Sequence, residues 1–175
     1  MFSFKNIWFC LGISIGVLAG VLTFASFALS GHLPTWLAFG VWPAFVAWAL
    51  YFAKGGGVDG MVKTIGGNVF GIVIAFLSLW LFSAFSISNQ TVSSLVLGVI
   101  IIVAAFILTM GGNFKIISYV PAAFGGCACS FGFGIGATSN GIQLTIALII
   151  TMVLGAVLAH LSNLWGTAMN KPAAK

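Results

Sequence analysis

Six apolar runs take up nearly all of this chain of 175 residues: Trp8–Leu29, Leu33–Ala53, Ile65–Phe85, Thr91–Met110, Ile116–Gly136 and Ile142–Trp165. A bilayer core about 30 Å thick takes roughly 20 such residues per crossing helix. The links between the runs are short: Ser30–His32, Lys54–Thr64, Ser86–Gln90, Gly111–Lys115 and Ala137–Gly141. They leave no room for a domain outside the membrane. The runs therefore predict an all-α polytopic membrane protein with six transmembrane helices, in which residues 1–175 form one domain and any function lies within the bundle. The first run exceeds the 7–15 residues of a signal-peptide core, so it reads as a permanent helix.

Charge agrees with this organisation. Only 4% of residues are charged, too few to cover a water-facing surface. Disorder is excluded by the high apolar content. All six basic residues are lysines: Lys5, Lys54, Lys63, Lys115, Lys171 and Lys175. With six spans, every one of them falls on the same side. The positive-inside rule then places both termini in the cytoplasm. Six scattered lysines form no basic patch, so nucleic acid is not an expected partner.

The chain also reads as two related halves, 8–85 and 91–165. Gly20-Val21 matches Gly98-Val99, and Pro43-Ala44 matches Pro121-Ala122, both at an offset of 78. In the third helix of each half the offset is 84, pairing Gly71, Val73, Ala75, Leu77 and Ser78 with Gly155, Val157, Ala159, Leu161 and Ser162. Chance matches among abundant small and aliphatic residues are the competing explanation. Three helices per half would make the repeat inverted, an arrangement in which transporters place their solute path near the midplane.

Several residues are candidates for such a path. Pro43 and Pro121 read as mid-span prolines whose kinks would free carbonyls near Phe39 and Ile117. The competing reading is ordinary kinking. Trp42 and Trp48 flank Pro43 and either pack or form an aromatic constriction. Trp8, Trp36, Trp80 and Trp165 sit near run ends, as interfacial anchors do. Asn68 offers donors and acceptors near the cytoplasmic end of the third run. His160 is an ionisable group inside a span, suited to a proton relay or pH gate, or else to a neutral imidazole bonded to backbone. Gly12, Gly16 and Gly20, with Gly67, Gly71 and Gly155, are helix-packing glycines that permit close approach. The run on the first helix could instead serve contacts between subunits, so a homo-oligomer is plausible.

Other chemistry is poorly provided for. Asp59 is the single carboxylate side chain and lies in a link. Carboxylate-coupled pumping and paired-carboxylate catalysis are therefore not expected, and neither is an enzyme. Cys10, Cys127 and Cys129 lack metal or redox spacing, and His32 with His160 completes no metal site. No cofactor is expected.

The run Tyr51-Phe52-Ala53-Lys54-Gly55-Gly56, followed by Gly60, Lys63, Asn68 and Gly71, resembles a bacterial inner-membrane family of unknown function, domain-of-unknown-function family 1097. Tyr119-Val120-Pro121-Ala122-Ala123-Phe124-Gly125 resembles that family's second-half signature. The resemblance extends from about Ile7 to Trp165 and implies a six-helix, multi-pass protein of the bacterial inner membrane. It implies no activity. From the residues themselves, the leading expectation is a channel or facilitator for a small neutral or weakly polar solute, such as urea, an amide, ammonia or a neutral small acid. The alternatives are a secondary transporter with a histidine-dependent proton step, and a non-transporting subunit that docks a partner protein in the bilayer.

Overall fold

A computed structural model describes residues 6–32, 40–135 and 140–170. Among these residues there are six α-helices, one 3-10 turn and no strand: α1 (Ile7–Leu29), α2 (Val41–Ala53), α3 (Gly57–Ser83), α4 (Gln90–Met110), α5 (Val120–Gly132) and α6 (Gly141–Met169). The 3-10 turn, Gly111–Asn113, extends α4. Trp36, Phe39, Lys5, Lys171 and Lys175 lie outside the described residues.

Four helices, α1, α3, α4 with its 3-10 turn, and α6, are long and apolar enough to cross a membrane. Large apolar side chains such as Phe24, Leu95, Ile102 and Phe106 stand on the outside of the bundle. A water-soluble chain does not carry so continuous an apolar surface, and the fold is that of a membrane protein. The helix starts follow local chemistry. Asn6 accepts from the Trp8 N–H at 2.9 Å and caps α1, while Asn89 accepts from the Val92 N–H at 3.1 Å and caps α4.

The other two runs differ from the sequence expectation. Among the described residues, the second and fifth runs each hold a helix of 13 residues. At 1.5 Å per residue each helix is about 20 Å long, short of the membrane core. Pro43 and Pro121 explain where they begin. Both lie in the first turn of their helix, not at a mid-helix kink. First-turn N–H groups have no carbonyl four residues back, so proline costs nothing there and presets the backbone angle. Ile117 precedes α5, so it is not a helix carbonyl freed by a kink.

The chain reverses direction at each element. A tight reversal joins α2 to α3 through Gly55, Gly56 and Gly57, all at positive φ (98°, 73° and 70°). Side chains other than glycine rarely adopt that conformation. Contacts along the helices show that α2 runs parallel to α6, and α3 parallel to α5. Ala44 meets Gly155 while Tyr51 meets His160, and Gly67 meets Ala122 while Gly71 meets Cys127. On the periphery, α1 lies antiparallel on α6, where the Ser14 hydroxyl donates to the Ser162 carbonyl at 2.8 Å. α4 lies on α3 and α5.

The core follows from these pairings. Ala47, Ile72, Cys129, Leu148, Met152 and Ala156 join α2, α3, α5 and α6 at the centre. Ala75, Leu108, Ala123 and Cys127 join α3, α4 and α5. Small residues set the spacing. A Cβ added to Gly67 would come 2.6 Å from the Ala122 side chain, and one on Gly71 or Gly155 would fall on the backbone of Ala123 or Ala44. Gly12, Gly16 and Gly20 behave differently, since a Cβ on any of them would meet nothing within the chain. Their face of α1 points outward.

Candidate functional site

Two polar groupings interrupt the apolar interior, both built around α3 and its neighbours. The first is at the end of the bundle where Lys54 and Lys63 sit. Tyr51, in the last turn of α2, is fully buried. Its hydroxyl accepts from the Gly57 N–H at 2.9 Å and from the Asn163 side-chain amide at 3.1 Å. A phenol oxygen has two lone pairs and one proton. With both lone pairs occupied, the proton goes to the remaining partner, His160 Nδ1, at 3.0 Å. This accounting assigns the neutral His160 tautomer with its proton on Nε2. Tyr51 thus ties the glycine-rich α2–α3 reversal to α6. Beside this hub, the Lys54 ammonium sits 5.3 Å from the centre of the Tyr119 ring, and Asp59 pairs with Lys63 at 2.9 Å on the surface.

The second grouping is deeper. Asn68 lies on α3 where α2 and α5 converge on it, and it is 1% exposed. Both polar atoms of its side chain lack a hydrogen-bond partner. One turn earlier on the same face, Thr64 is fully buried and its hydroxyl is also unpartnered. That departs from the pattern elsewhere in the bundle. The buried hydroxyls of Ser130 and Thr151 donate to the carbonyls four residues back, Gly126 and Ala147. Thr64 makes no such bond. Glycine backbone and aliphatic side chains close on Asn68: its main-chain carbonyl lies against Gly126, and a Cβ on Gly125 would be 3.7 Å from Oδ1, with Val46 and Leu50 closing the same point. Each buried polar group left without a partner costs about 1–3 kcal/mol. Two such residues on one helix face are a liability to the fold unless something pairs with them.

The path candidates from the sequence therefore separate. Asn68 is at the centre, with Thr64 beside it. His160 is at the lysine-bearing end, bonded to Tyr51. Pro43 and Pro121 mark helix starts. Trp48 is 5% exposed between α2, α1 and α6, with its indole N–H unpartnered, on the opposite side of α2 from Val46 and Leu50. Trp42 packs against Gly132 at the other end of α5. Sequence reasoning placed Thr64 in a link, because Asp59 and Lys63 interrupt the apolar pattern. Its position four residues before Asn68 was the available signal. Tyr51 carried no periodic signal for its partner, which is 109 residues away.

Among the described residues, no three His, Cys, Asp or Glu side chains gather in a way that could hold a metal ion. A family model described as "Protein of unknown function (DUF1097)" matches residues 12–167. No curated protein and no solved structure matches the chain.

Proposed function

The chain belongs to the DUF1097 family, and we propose that it is a facilitator for a small neutral, polar solute that crosses the bundle by way of Asn68 and Thr64. The observation that carries this reading is the pair of buried, unpartnered polar side chains one turn apart on α3. A neutral solute suits the place, because the side chains that close on Asn68 beside Gly125, Val46 and Leu50, carry no charge to balance an ion. The near-complete burial of both residues describes an occluded station, so passage involves opening towards each side in turn.

An inverted repeat supplies the framework in this proposal. Helix lengths of 23, 13 and 27 residues in the first half face 21, 13 and 29 in the second. The short helix of each half packs on the long third helix of the other, and under the offsets of 78 and 84 the contact Gly155–Ala44 corresponds to Gly71–Ala123 to within one residue. Each short helix belongs to one crossing, for six in all. The described lysines share one end, which supports cytoplasmic termini in a bacterial inner membrane. The chemistry is not repeated: Met152 and Leu148 stand where the offset of 84 places the counterparts of Asn68 and Thr64.

The test is stopped-flow swelling of proteoliposomes with a panel of neutral solutes, together with radiotracer uptake. At least one solute should enter faster than into empty liposomes. The reading fails if none does.

A second reading, a histidine-dependent proton step, is favoured by the Tyr51–His160 bond. It predicts that flux depends on pH, and that His160→Ala abolishes the dependence.

A further inference from the structure

We propose that Asn68 and Thr64 form a binding site for a solute with a carboxamide edge, a primary amide or urea. This deepens the facilitator reading and rests on it for the route of entry, though the binding itself can be measured separately. A carboxamide presents one acceptor and one donor side by side in a plane. Its best complement is another planar edge with donor and acceptor in the reverse order, which makes two parallel N–H···O bonds. In Asn68 both halves of that edge are buried and have no hydrogen-bond partner within the chain. A primary amide or urea that pairs with it still carries further N–H donors. The Thr64 hydroxyl, one helical turn away and released from its own helix, is an acceptor for one of them.

The same count disfavours the other neutral classes. A polyol has no planar donor–acceptor edge, and its remaining hydroxyls would face Val46, Leu50 and the glycine backbone of α5 without partners. Ammonia is a single heavy atom and cannot set separate donor and acceptor atoms opposite Oδ1 and Nδ2 as a carboxamide does. A small carboxylic acid has the right edge only when protonated, a minor fraction at neutral pH. Gly125 and Gly126, having no side chain, let α5 close on Asn68. A Cβ on Gly125 would lie beside Oδ1, and one on Gly126 would overlap the Asn68 backbone.

Purified protein in detergent is examined by saturation-transfer NMR with acetamide and, separately, glycerol. The same protein in liposomes is compared for acetamide, urea, glycerol, ammonia and water permeation. Acetamide is expected to show saturation transfer and to permeate at least tenfold faster than glycerol. Asn68→Leu should abolish both effects, and Thr64→Val, close to isosteric and free of folding risk from size, should weaken both severalfold. Acetamide binding without any flux would uphold the site and overturn the facilitator reading. Flux of glycerol or ammonia equal to that of acetamide, and lost with it in Asn68→Leu, would overturn the amide site and leave the facilitator reading in place. An absence of acetamide transfer, or a water permeability alone that Asn68→Leu removes, also overturns it, the latter by showing that water occupies the pair.

Discussion

Gly71 lies so close to Ala123 that a Cβ on the glycine would overlap the alanine carbonyl oxygen. Backbone, unlike a flexible side chain, cannot swing aside, so α3 and α5 would have to separate. Gly71→Ala is therefore expected to destabilise the protein by about 1–3 kcal/mol or more, and Gly155→Ala to do the same against Ala44. Gly16→Ala has open space around it and should be neutral, or stabilising by up to about 1 kcal/mol through helix propensity. Thermal unfolding in detergent separates the two groups. Equal midpoints for Gly71→Ala and Gly16→Ala would mean that α3 and α5 do not meet at Gly71.

Tyr51→Phe should act through three partners at once. It leaves the Gly57 N–H and the Asn163 amide without their acceptor, and removes the donor to His160 Nδ1. A cost of about 1–3 kcal/mol is expected from the buried groups left unpaired. Imidazole 15N shifts provide an independent reading. The wild type should show the proton on Nε2, and Tyr51→Phe should release that preference. A wild-type His160 protonated on Nδ1 would show that the bond runs the other way.

The apolar runs made the four long helices legible, because length and hydropathy are properties of contiguous sequence. The shortness of α2 and α5 was not legible in the same way. The runs around Pro43 and Pro121 stay apolar through the residues that precede each helix, so hydropathy could not mark where the backbone becomes helical. Proline did mark it, although an interior kink and a first-turn start leave the same trace in a sequence. The start of α3 was hidden for the opposite reason. Asp59 and Lys63 break the apolar pattern, yet both lie within the first turns of the helix, paired with each other. Asn68 was legible as a polar residue in an apolar run. Its lack of partners depends on how α2 and α5 close over it, which no local pattern records. The glycines looked alike in sequence, but those of α3 and α6 meet backbone while those of α1 meet nothing. That difference is tertiary.

The end of the bundle that carries Lys54, Lys63 and Lys115 is expected to face the cytoplasm. Asn113→Cys lies at that end and Ser88→Cys at the other, and both positions are exposed. A membrane-impermeant maleimide should label Ser88→Cys in intact spheroplasts and Asn113→Cys only in inverted vesicles. The native thiols Cys10, Cys127 and Cys129 are buried and provide a low background. Labelling with the opposite sidedness would reverse the orientation.

Thr64→Val bears most directly on the centre of the molecule. The hydroxyl of Thr64 has lost its contact with water and gained none with protein. Replacing it by a methyl group of similar size removes a desolvated dipole and adds apolar contact. The empty protein should therefore become more stable, by about 1 kcal/mol or more. Ser14→Ala is the counterpart, because the Ser14 hydroxyl donates across α1 and α6 to the Ser162 carbonyl. Its removal should lower stability by about 0.5–1.5 kcal/mol. The opposite signs are the diagnostic, since a general sensitivity of buried positions would lower both midpoints. A fall in stability for Thr64→Val equal to that for Ser14→Ala would show that the Thr64 hydroxyl is already satisfied, and the central polar pair would lose its claim as a binding site. A rise accompanied by weaker transport would show that the fold tolerates an unfavourable group at its centre because the solute uses it.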